Sequence, residues 1–298
     1  MLERIIVDIR LTITMSFEEH AYVALFADWQ GRRAATASPR AARALPERFT
    51  LEEAVFRLRA VGHAQAAALL EDHELLEGAQ ALITRRSFQG WRPIVPQELP
   101  PRLREVCGSS APPLLWGYGY SHRLLRPGVG IVGSRVLTPA EARFASAAGE
   151  ACAHLDMPVF SGGAAGADSF GAIGAARAGG AAAHFLPGGI AEPYGPVSLL
   201  TPDPDMPTFD RLEALTRNKW IYAASEATLI VASRFGEGGS WTGAIAAMKA
   251  RLGRILVYMG PQPSAGNIAL ARLGAQPIRS IEELSGALGH SLQPKLAV

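Results

Sequence analysis

Apolar residues in the first 90 positions recur at helical intervals between polar ones, and this spacing predicts helices rather than strands. Two of these helices begin with the pattern of a capping box, in which glutamate follows a hydroxyl side chain three residues later. The two pairs are Ser16 with Glu19 and Thr50 with Glu53. The pattern therefore predicts a small all-helical N-terminal domain over residues 1–90.

Three further segments complete the first part of the chain. A third helix is predicted over residues 64–82, where leucines supply an apolar stripe. A loop rich in Ala, Arg and Pro is predicted over residues 31–49. Residues 91–127 follow as a connector, and its proline density disfavours regular helix over most of the span. The connector is also clearly basic, with five arginines against two glutamates.

From residue 128 onward, short apolar runs alternate with segments of helical spacing. The runs predict buried strands, over residues 129–132, 158–160, 181–186, 227–231 and 255–258. The other segments predict helices, from Thr138 and over residues 167–178, 240–251, 264–273 and 280–288. This alternation predicts an α/β, doubly wound fold over residues 128–298, with a mainly parallel sheet covered by helices on both faces. The irregular interval 187–208, with six prolines, is expected to be a functional insertion.

Four short stretches in this second part are candidates for binding an anion. Three are glycine turns that follow predicted strands and precede predicted helices, at residues 128–135, 160–168 and 237–244. The fourth, at 216–220, carries two cations. Glycine lets backbone approach a ligand closely, and a helix N-terminus offers unpaired N–H groups. The pattern predicts a phosphate-binding edge on the sheet, although Ser240 can equally serve as the N-cap of its helix.

These stretches also have structural interpretations. The glycine turn at 160–168 either approaches a ligand or packs a helix tightly on the sheet. Asp168 either stabilises that turn or caps the helix, which we favour, or it bonds a ribose hydroxyl. The cations at 216–220, beside Trp220 and Tyr222, suit a backbone-and-stacking site for a single strand. Alternatively, the cations occupy a solvated helix face and the two aromatic side chains lie in the core.

Composition restricts the class of partner. The chain of 298 residues is 48% hydrophobic and carries a net charge of only +2, so nucleic acid would have to bind through a local patch. Cys107 and Cys152 lack metal-ligand spacing and suit a reducing compartment. The sequence contains neither a predicted membrane span nor a signal-peptide pattern. We therefore expect a cytoplasmic protein that binds no metal.

No catalytic constellation can be assembled from the sequence. The seven histidines are scattered without metal spacing, and no serine lies in a hydrolase motif. The turn at 130–133 lacks the third glycine of the dinucleotide-binding fingerprint. We therefore expect no catalytic residues and no cofactor, and a protein that is not an enzyme.

The order and spacing of these motifs resemble those of the DNA-processing protein A family (DprA, also called Smf). The motifs are GVGIVGSR at 128–135, SGGAAGAD at 161–168, RNK at 217–219 and GSWTGA at 239–244. The resemblance covers about residues 91–280, and residues 16–82 more weakly resemble that family's helical domain. It implies a Rossmann-like core that binds single-stranded DNA as a homodimer. It also implies loading of a RecA-type recombinase during natural transformation.

The resemblance further implies which residues line the phosphate-binding pocket: Arg135, Ser161, Gly162, Gly163, Arg217, Lys219 and Ser240. Their neighbours complete the set of candidate DNA-binding residues: Gly133, Ser134, Gly166, Asp168, Asn218, Gly239 and Thr242. The chain departs from the family pattern at Gly163, Lys219 and Trp241, where the family usually has leucine, arginine and a small or aliphatic residue. A mobile-element or defence role is therefore an alternative to natural transformation.

Three functional hypotheses follow. The first is a non-enzymatic, DprA-like binder of single-stranded DNA that acts in DNA processing and recombination. The second is a nucleotide-ligand sensor of the same superfamily, in a defence or signalling system. The third is a phosphoribohydrolase-like enzyme. Such enzymes carry a Pro-Gly-Gly motif followed by Gly-Thr and a glutamate, whereas here Pro187-Gly188-Gly189 is followed by Ile190-Ala191-Glu192, so this hypothesis is disfavoured. In addition, residues 238–242 lack the glutamate that such an enzyme requires.

Overall fold

The computed structural model describes residues 16–27, 37–188, 196–206 and 211–289. Two compact units divide the chain, one within Met1–Gln97 and Pro112–Leu114, the other within Glu98–Ala111 and Leu115–Val298. Parts of two predicted segments lie outside the described residues: 31–36 of the expected loop, and 189–195 and 207–208 of the expected insertion. Residues 189–192, used above to weigh the hydrolase alternative, are among them.

Helices dominate the first unit, as the apolar spacing predicted. They are α1 (Phe17–Phe26), α2 (Leu51–Ala60), α3 (Ala64–Leu70) and α4 (His73–Phe88), with a 3-10 turn at Pro39–Ala44 and strand β1 (Trp91–Ile94). Both predicted capping boxes form. In each, the hydroxyl oxygen accepts the glutamate N–H at 3.3 Å, and the glutamate carboxylate accepts the N–H of the hydroxyl residue at 2.9 Å. Capping depends on four consecutive residues, which is why the sequence could predict it.

The prediction of a single helix over residues 64–82 is wrong, because one helix ends at Leu70 and the next begins at His73, with Glu71 and Asp72 between them. The Asp72 carboxylate accepts the Leu75 N–H at 3.1 Å and so starts a new helix, α4. Leu70 and Leu75, on either side of the break, are both buried. The apolar stripe thus continues through the break, and its spacing alone does not reveal it.

The described part of the second unit is built on one sheet of eight strands. These are β2 (Leu115–Tyr118), β3 (Gly128–Val132), β4 (Val159–Ser161), β5 (Ala182–Phe185), β6 (Ser198–Thr201), β7 (Ser225–Ile230), β8 (Arg254–Tyr258) and β9 (Gln276–Ile278). Their order is β2-β6-β5-β4-β3-β7-β8-β9, and each pairing is parallel except that of β2 with β6. The chain runs outward from β3 in one direction and from β7 in the other. The carboxyl ends of these two neighbours are therefore the topological switch point of the sheet.

Helices cover both faces of this sheet. One face is covered by α6 (Pro139–His154), α7 (Ala167–Arg177) and α11 (Ile281–Gly289). The other is covered by α5 (Pro101–Cys107), α8 (Arg211–Ala224), α9 (Gly238–Ala250) and α10 (Ala265–Arg272). Alternation of strands and helices along the chain thus produces the predicted architecture. The expected α/β, Rossmann-like fold with a doubly wound, mainly parallel sheet is confirmed.

Three strands and two helices of the second unit, α5 and α8, were not among the predicted elements. β6 lies in the interval interpreted as irregular, and β2 and α5 lie in the proline-rich connector. α5 begins at Pro101, where the missing N–H costs nothing because first-turn N–H groups have no helical partner. β9 contains Pro277 at the edge of the sheet, where proline is tolerated. The density of prolines thus indicated where regular structure is interrupted, but it did not reveal the short strands and the short helix between the prolines.

Candidate functional site

The carboxyl ends of β3 and β7 place the predicted stretch at 128–135 beside the loop that leads to the stretch at 237–244. The Val231 N–H donates to the Val132 carbonyl, and the Ser134 N–H donates to the Ala232 carbonyl, each at 2.9 Å. The loop after β3 therefore runs beside the loop after β7. Arg135, in the first of these loops, is exposed to solvent. The switch point of a doubly wound sheet is where such folds bind their ligands.

The glycine turn after β4 packs against the loop after β3. Gly166 has a φ of +82°, and a Cβ on it would lie 2.6 Å from the Arg135 carbonyl oxygen. The Ala167 N–H donates to the Ser134 carbonyl at 3.2 Å, so α7 begins against this backbone. A Cβ on Gly133 would meet the Cβ of Ala167 at 2.9 Å. Close packing of backbone therefore requires glycine at both positions and brings the two loops together.

Four buried polar side chains lie beside this turn, and we call them the buried polar cluster: Ser161, Asp168, His184 and Arg217. Ser161 Oγ forms a hydrogen bond with His184 Nδ1 at 2.7 Å. The Asp168 carboxylate accepts the Gly162 N–H at 2.8 Å. Gly166 occupies the N-cap position of α7, so Asp168 stabilises the turn and does not cap the helix. The cluster therefore orders the glycine turn through side chains from different elements.

Arg217 is the cation of the cluster and is only 9% exposed. Its Nη1 donates to the Phe185 carbonyl at 3.0 Å. A Cβ on Gly162 would overlap this guanidinium, so glycine at that position makes room for it. Its Nε has no hydrogen-bond partner among the described residues. A buried guanidinium that lies against a glycine turn is a cation suited to an anion at that turn.

Burial and neighbouring charges shift the pKa values in the cluster. Burial raises the pKa of Asp168 to about 6, against the opposing effects of the Gly162 N–H and the Arg217 charge. Burial, and then the Arg217 charge, lower the pKa of His184 to about 4, so its imidazole is neutral at pH 7. Burial lowers the pKa of Arg217; the Asp168 charge raises it, and the Arg135 charge lowers it. Because the two guanidinium groups repel each other, an anion near both would be stabilised.

Asp168 and His184 are expected to change stability with pH in opposite directions. Folding raises the pKa of Asp168 from 3.8 to about 6, so its carboxyl adds to the free energy of unfolding below about pH 4. This contribution is lost as the pH rises through about 6. Folding lowers the pKa of His184 from 6.5 to about 4, so its imidazole adds to the free energy of unfolding above about pH 6.5. This contribution is lost as the pH falls through about 4. As the pH rises from about 4 to about 6.5, the free energy of unfolding of Asp168→Asn should therefore increase relative to that of wild type. That of His184→Asn should decrease relative to wild type over the same range.

Urea unfolding of the three proteins across this pH range measures the difference. Each variant is expected to diverge from wild type by about 2–3 kcal/mol between the two ends of the range, following from shifts of about two pKa units. His154→Asn, which removes a histidine from the end of α6, outside the cluster, is the matched control. Differences from wild type that stay constant with pH in both cluster variants would contradict these assignments.

Arg217 and Lys219 do not converge on one point. Because they are two residues apart on α8, their side chains leave the helix about 200° apart. Lys219 lies instead near Cys107 of α5, whose pKa is raised by burial and lowered in part by the Lys219 charge. The Asn218 Nδ2 would lie 3.8 Å from a Cβ on Gly239. The RNK stretch therefore supplies Arg217 to the buried polar cluster and Asn218 to the turn before α9.

Trp220 and Tyr222, for which the sequence left stacking or core positions open, lie in the core. They are 8% and 3% exposed. A Cβ on Gly243 of α9 would meet the Tyr222 ring and hydroxyl at 3.1 Å. Neither ring can stack on a nucleic-acid base, so the stacking alternative at these two positions is wrong.

The glycine stretch at 237–244 forms the N-cap and the exposed first turns of α9. α9 begins at Gly238 with Glu237 at the N-cap, so Ser240 lies within the first turn and is not the N-cap. The Thr242 hydroxyl donates to the Gly238 carbonyl at 3.0 Å. A Cβ on Gly239 would have only Asn218 within 4 Å among the described residues. Since first-turn N–H groups have no partner within their helix, this turn offers further donors to an anion.

Asn267 was not among the predicted site residues, yet it fixes the end of β7. It is fully buried, and its Nδ2 lies 3.0 Å from each of three carbonyl oxygens, those of Ile230, Val231 and Tyr258. Its Oδ1 accepts the Ser233 hydroxyl at 2.8 Å. An amide among apolar helix positions is visible in the sequence, but its partners are brought together only by the fold. Asn267 thus holds the backbone from which the loop after β7 departs.

Two negative findings concern the described residues alone. They contain no group of three or more His, Cys, Asp and Glu side chains placed to hold a metal ion. Across their helices, no segment combines the length and the apolar character that crossing a membrane requires. Cys107 and Cys152 are both buried as free thiols.

Comparisons with known proteins agree with this architecture. DNA processing protein A (DprA) from Streptococcus pneumoniae matches with a TM-score of 0.65 and 16% identity, over 91% of this chain and 98% of that chain. The structure describing the single-stranded DNA binding mode of DNA processing protein A from Helicobacter pylori matches with a TM-score of 0.59 and 20% identity. That match covers 68% of this chain and 97% of that chain. At these identities the likeness shows the fold alone.

A sequence model of the DNA recombination-mediator protein A family matches residues 93–289, which is more than half of the chain. A search of curated protein sequences gives no significant match. The matched span contains all four motif stretches, and it confirms the resemblance inferred from their order and spacing. The chain belongs to the DNA recombination-mediator protein A family.

Proposed function

We propose that this protein binds single-stranded DNA without catalysing a reaction, and that it holds backbone phosphates at the carboxyl edge of β3, β4 and β7. The observation that carries the proposal is Arg217, a buried guanidinium with an unpartnered Nε beside the glycine turn at Gly162. Family membership and the single-stranded DNA binding mode described for the Helicobacter pylori protein support the same ligand. A phosphate at this turn would lie near the charges of both Arg217 and Arg135.

Binding in this proposal is electrostatic and independent of sequence. Phosphate contacts fix the position of the strand, whereas base edges carry sequence information, and the site offers guanidinium and backbone N–H donors. The affinity should fall with salt, by a logarithmic slope of about 0.7 for each phosphate neutralised on a single strand. The proposed DNA-binding set remains the fourteen predicted residues, with Arg135 and Arg217 as its principal cations.

Replacing Arg135 with alanine is expected to weaken binding about tenfold, as loss of one charge-assisted contact would. It should also lower the salt slope by about 0.7. Arg135 is exposed, so the free energy of unfolding should change little. Fluorescence anisotropy with a labelled single-stranded oligonucleotide across a salt series measures both effects.

The matched control is Arg177→Ala, which removes an arginine from the last residue of α7. α7 begins at the carboxyl edge and ends at the opposite edge of the sheet, so this variant should bind as wild type does. Equal affinity and slope for Arg135→Ala and wild type would refute the assignment of Arg135. Lys219→Ala, tested in parallel, reports whether the strand also passes the other side of α8.

We further propose that the protein acts as a homodimer in the cytoplasm and loads a RecA-type recombinase onto the bound strand. This activity would serve natural transformation or a related mobile-element or defence process. The family description as a recombination mediator supports this assignment. Light scattering tests the dimer. Stimulation of recombinase filament formation on DNA coated with single-strand-binding protein tests the loading step, and no stimulation would contradict it.

The second candidate is a sensor of a small nucleotide, and one observation favours it. Arg217 is a single cation enclosed by the fold, which suits one phosphate group more than an extended backbone. Calorimetric titration with nucleoside monophosphates distinguishes the two functions. Saturable binding of a mononucleotide, without measurable affinity for single-stranded DNA, would favour the sensor.

A further inference from the structure

An exposed aromatic pair lies at the same edge of the sheet. Phe235, in the loop between β7 and α9, is 65% exposed, and its ring centroid lies 5.1 Å from that of the half-buried Trp241, with 67° between the planes. Gly236 lies within this loop and Gly238 follows it, with φ values of +73° and +79°. A Cβ on either glycine would meet nothing within 4 Å among the described residues. One large apolar ring thus stands on an open loop and the other on the first turns of α9, and the exposure of Phe235 is not that of a core residue.

The loop that bears Phe235 is fixed at its base by hydrogen bonds. The Ala232 carbonyl accepts the Ser134 N–H at 2.9 Å, one residue from Arg135. The Ser233 N–H donates to the Ser264 hydroxyl at 3.0 Å, and the Ser233 hydroxyl donates to Asn267. Phe235 follows two residues later. Phe235, which contacts Trp241 of α9, is therefore anchored to the backbone that carries the proposed phosphate contacts.

The charges around the pair suit a polyanion. Arg234, which precedes Phe235, is exposed and lies 3.8 Å from the Glu237 carboxylate, and Arg135 is exposed in the neighbouring loop. A single nucleic-acid strand presents phosphates and flat bases in alternation, so it matches a site where cations and aromatic faces adjoin. Trp220 and Tyr222 cannot supply those faces because both are buried.

We propose that Phe235 and Trp241 form a base-stacking surface for the strand whose phosphates occupy the Arg135 and Arg217 site. The inference rests on the proposed binding of single-stranded DNA. Each base has a π face, so stacking on the pair requires that a base be present but does not depend on which base it is. Trp241 braces the Phe235 ring edge-on and leaves a ring face available to the base.

The test compares an unmodified single-stranded oligonucleotide with an abasic one of the same length. Wild type should bind the abasic strand about five- to a hundredfold more weakly, the range that corresponds to losing stacking on one base. Phe235→Leu keeps an apolar side chain but removes the π face. This variant should bind the unmodified strand as weakly as wild type binds the abasic one, and should bind the two strands equally. Phe235→Tyr should restore the difference.

Two controls separate stacking from other effects. The salt slope of Phe235→Leu should equal that of wild type, because its phosphate contacts are intact. Phe88→Ala removes an exposed aromatic ring from the other compact unit and should leave both affinities unchanged. Trp241→Leu should reproduce the loss of discrimination seen with Phe235→Leu.

The outcomes distinguish this inference from the function on which it rests. If wild type binds single-stranded DNA with the expected salt dependence but Phe235→Leu still discriminates against the abasic strand, the stacking surface is refuted and the DNA-binding function stands. If wild type binds no single-stranded DNA at low salt, the function itself fails, and the stacking surface with it.

Discussion

Replacing Arg217 with methionine should reduce the affinity for single-stranded DNA about a hundredfold or more. The guanidinium lies against Gly162 and is the buried cation proposed to hold a phosphate at the glycine turn. Hydrogen bonds to charged groups contribute about 1.5–3 kcal/mol each, and a guanidinium fork supplies two. Methionine has a similar reach but provides no donor. Arg217→Lys keeps the charge without the planar fork and should recover only part of the affinity.

This substitution also has a structural cost that must be separated from the binding effect. Arg217→Met leaves the Asp168 carboxylate buried without its neighbouring positive charge, a loss of about 3 kcal/mol or more in comparable pairs. The double variant Asp168→Asn, Arg217→Met removes both charges, and the introduced amide oxygen can still accept the Gly162 N–H. It should unfold close to the wild-type midpoint yet bind DNA as weakly as the single variant. A folded double variant with wild-type affinity would show that the buried polar cluster does not contact DNA.

Replacing Asn267 with leucine should lower the free energy of unfolding by about 3–5 kcal/mol. Leucine has a similar volume but leaves the Ile230, Val231 and Tyr258 carbonyls and the Ser233 hydroxyl without this partner, and each such buried group costs about 1–3 kcal/mol. Some of these groups have other partners, which limits the sum. The loop after β7 should also lose its fixed base, so the affinity for DNA should fall in the variant that remains folded.

Urea unfolding, with Ser264→Ala as the graded control, measures this effect. Ser264 supplies one hydrogen bond to the same segment, at 3.0 Å from the Ser233 N–H, and its loss should cost about 1 kcal/mol. The ratio of the two losses tests whether Asn267 is the principal anchor of the loop. Costs within experimental error of each other would contradict that role.

The fold could be predicted from the sequence because its signals are local and periodic. Parallel strands buried on both faces give continuous apolar runs, and the glycine turns after β3 and β4 mark where those runs end. The capping boxes at Ser16 and Thr50 needed only four residues each. The break at Asp72 escaped prediction because the apolar stripe passes through it, and α5 escaped because Pro101 is harmless at its first position.

The site was less predictable, because side-chain direction depends on which helix face meets the sheet. Arg217 and Lys219 are adjacent to Asn218 in the sequence, yet the rotation of α8 directs Arg217 into the buried polar cluster and leaves Lys219 near Cys107. The same rotation buries Trp220 and Tyr222. His184 and Asn267 became recognisable only when strands distant in sequence brought Ser161 and Ser233 to them.

The most direct test of the central claim is the affinity of the wild-type protein for one labelled single strand and its matched duplex across a series of salt concentrations. We expect tighter binding to the single strand, with a logarithmic salt slope of about 0.7 for each phosphate held. We also expect no dependence on base sequence. Absence of binding at the lowest salt, or an affinity for the strand that salt does not change, would contradict the phosphate-binding account.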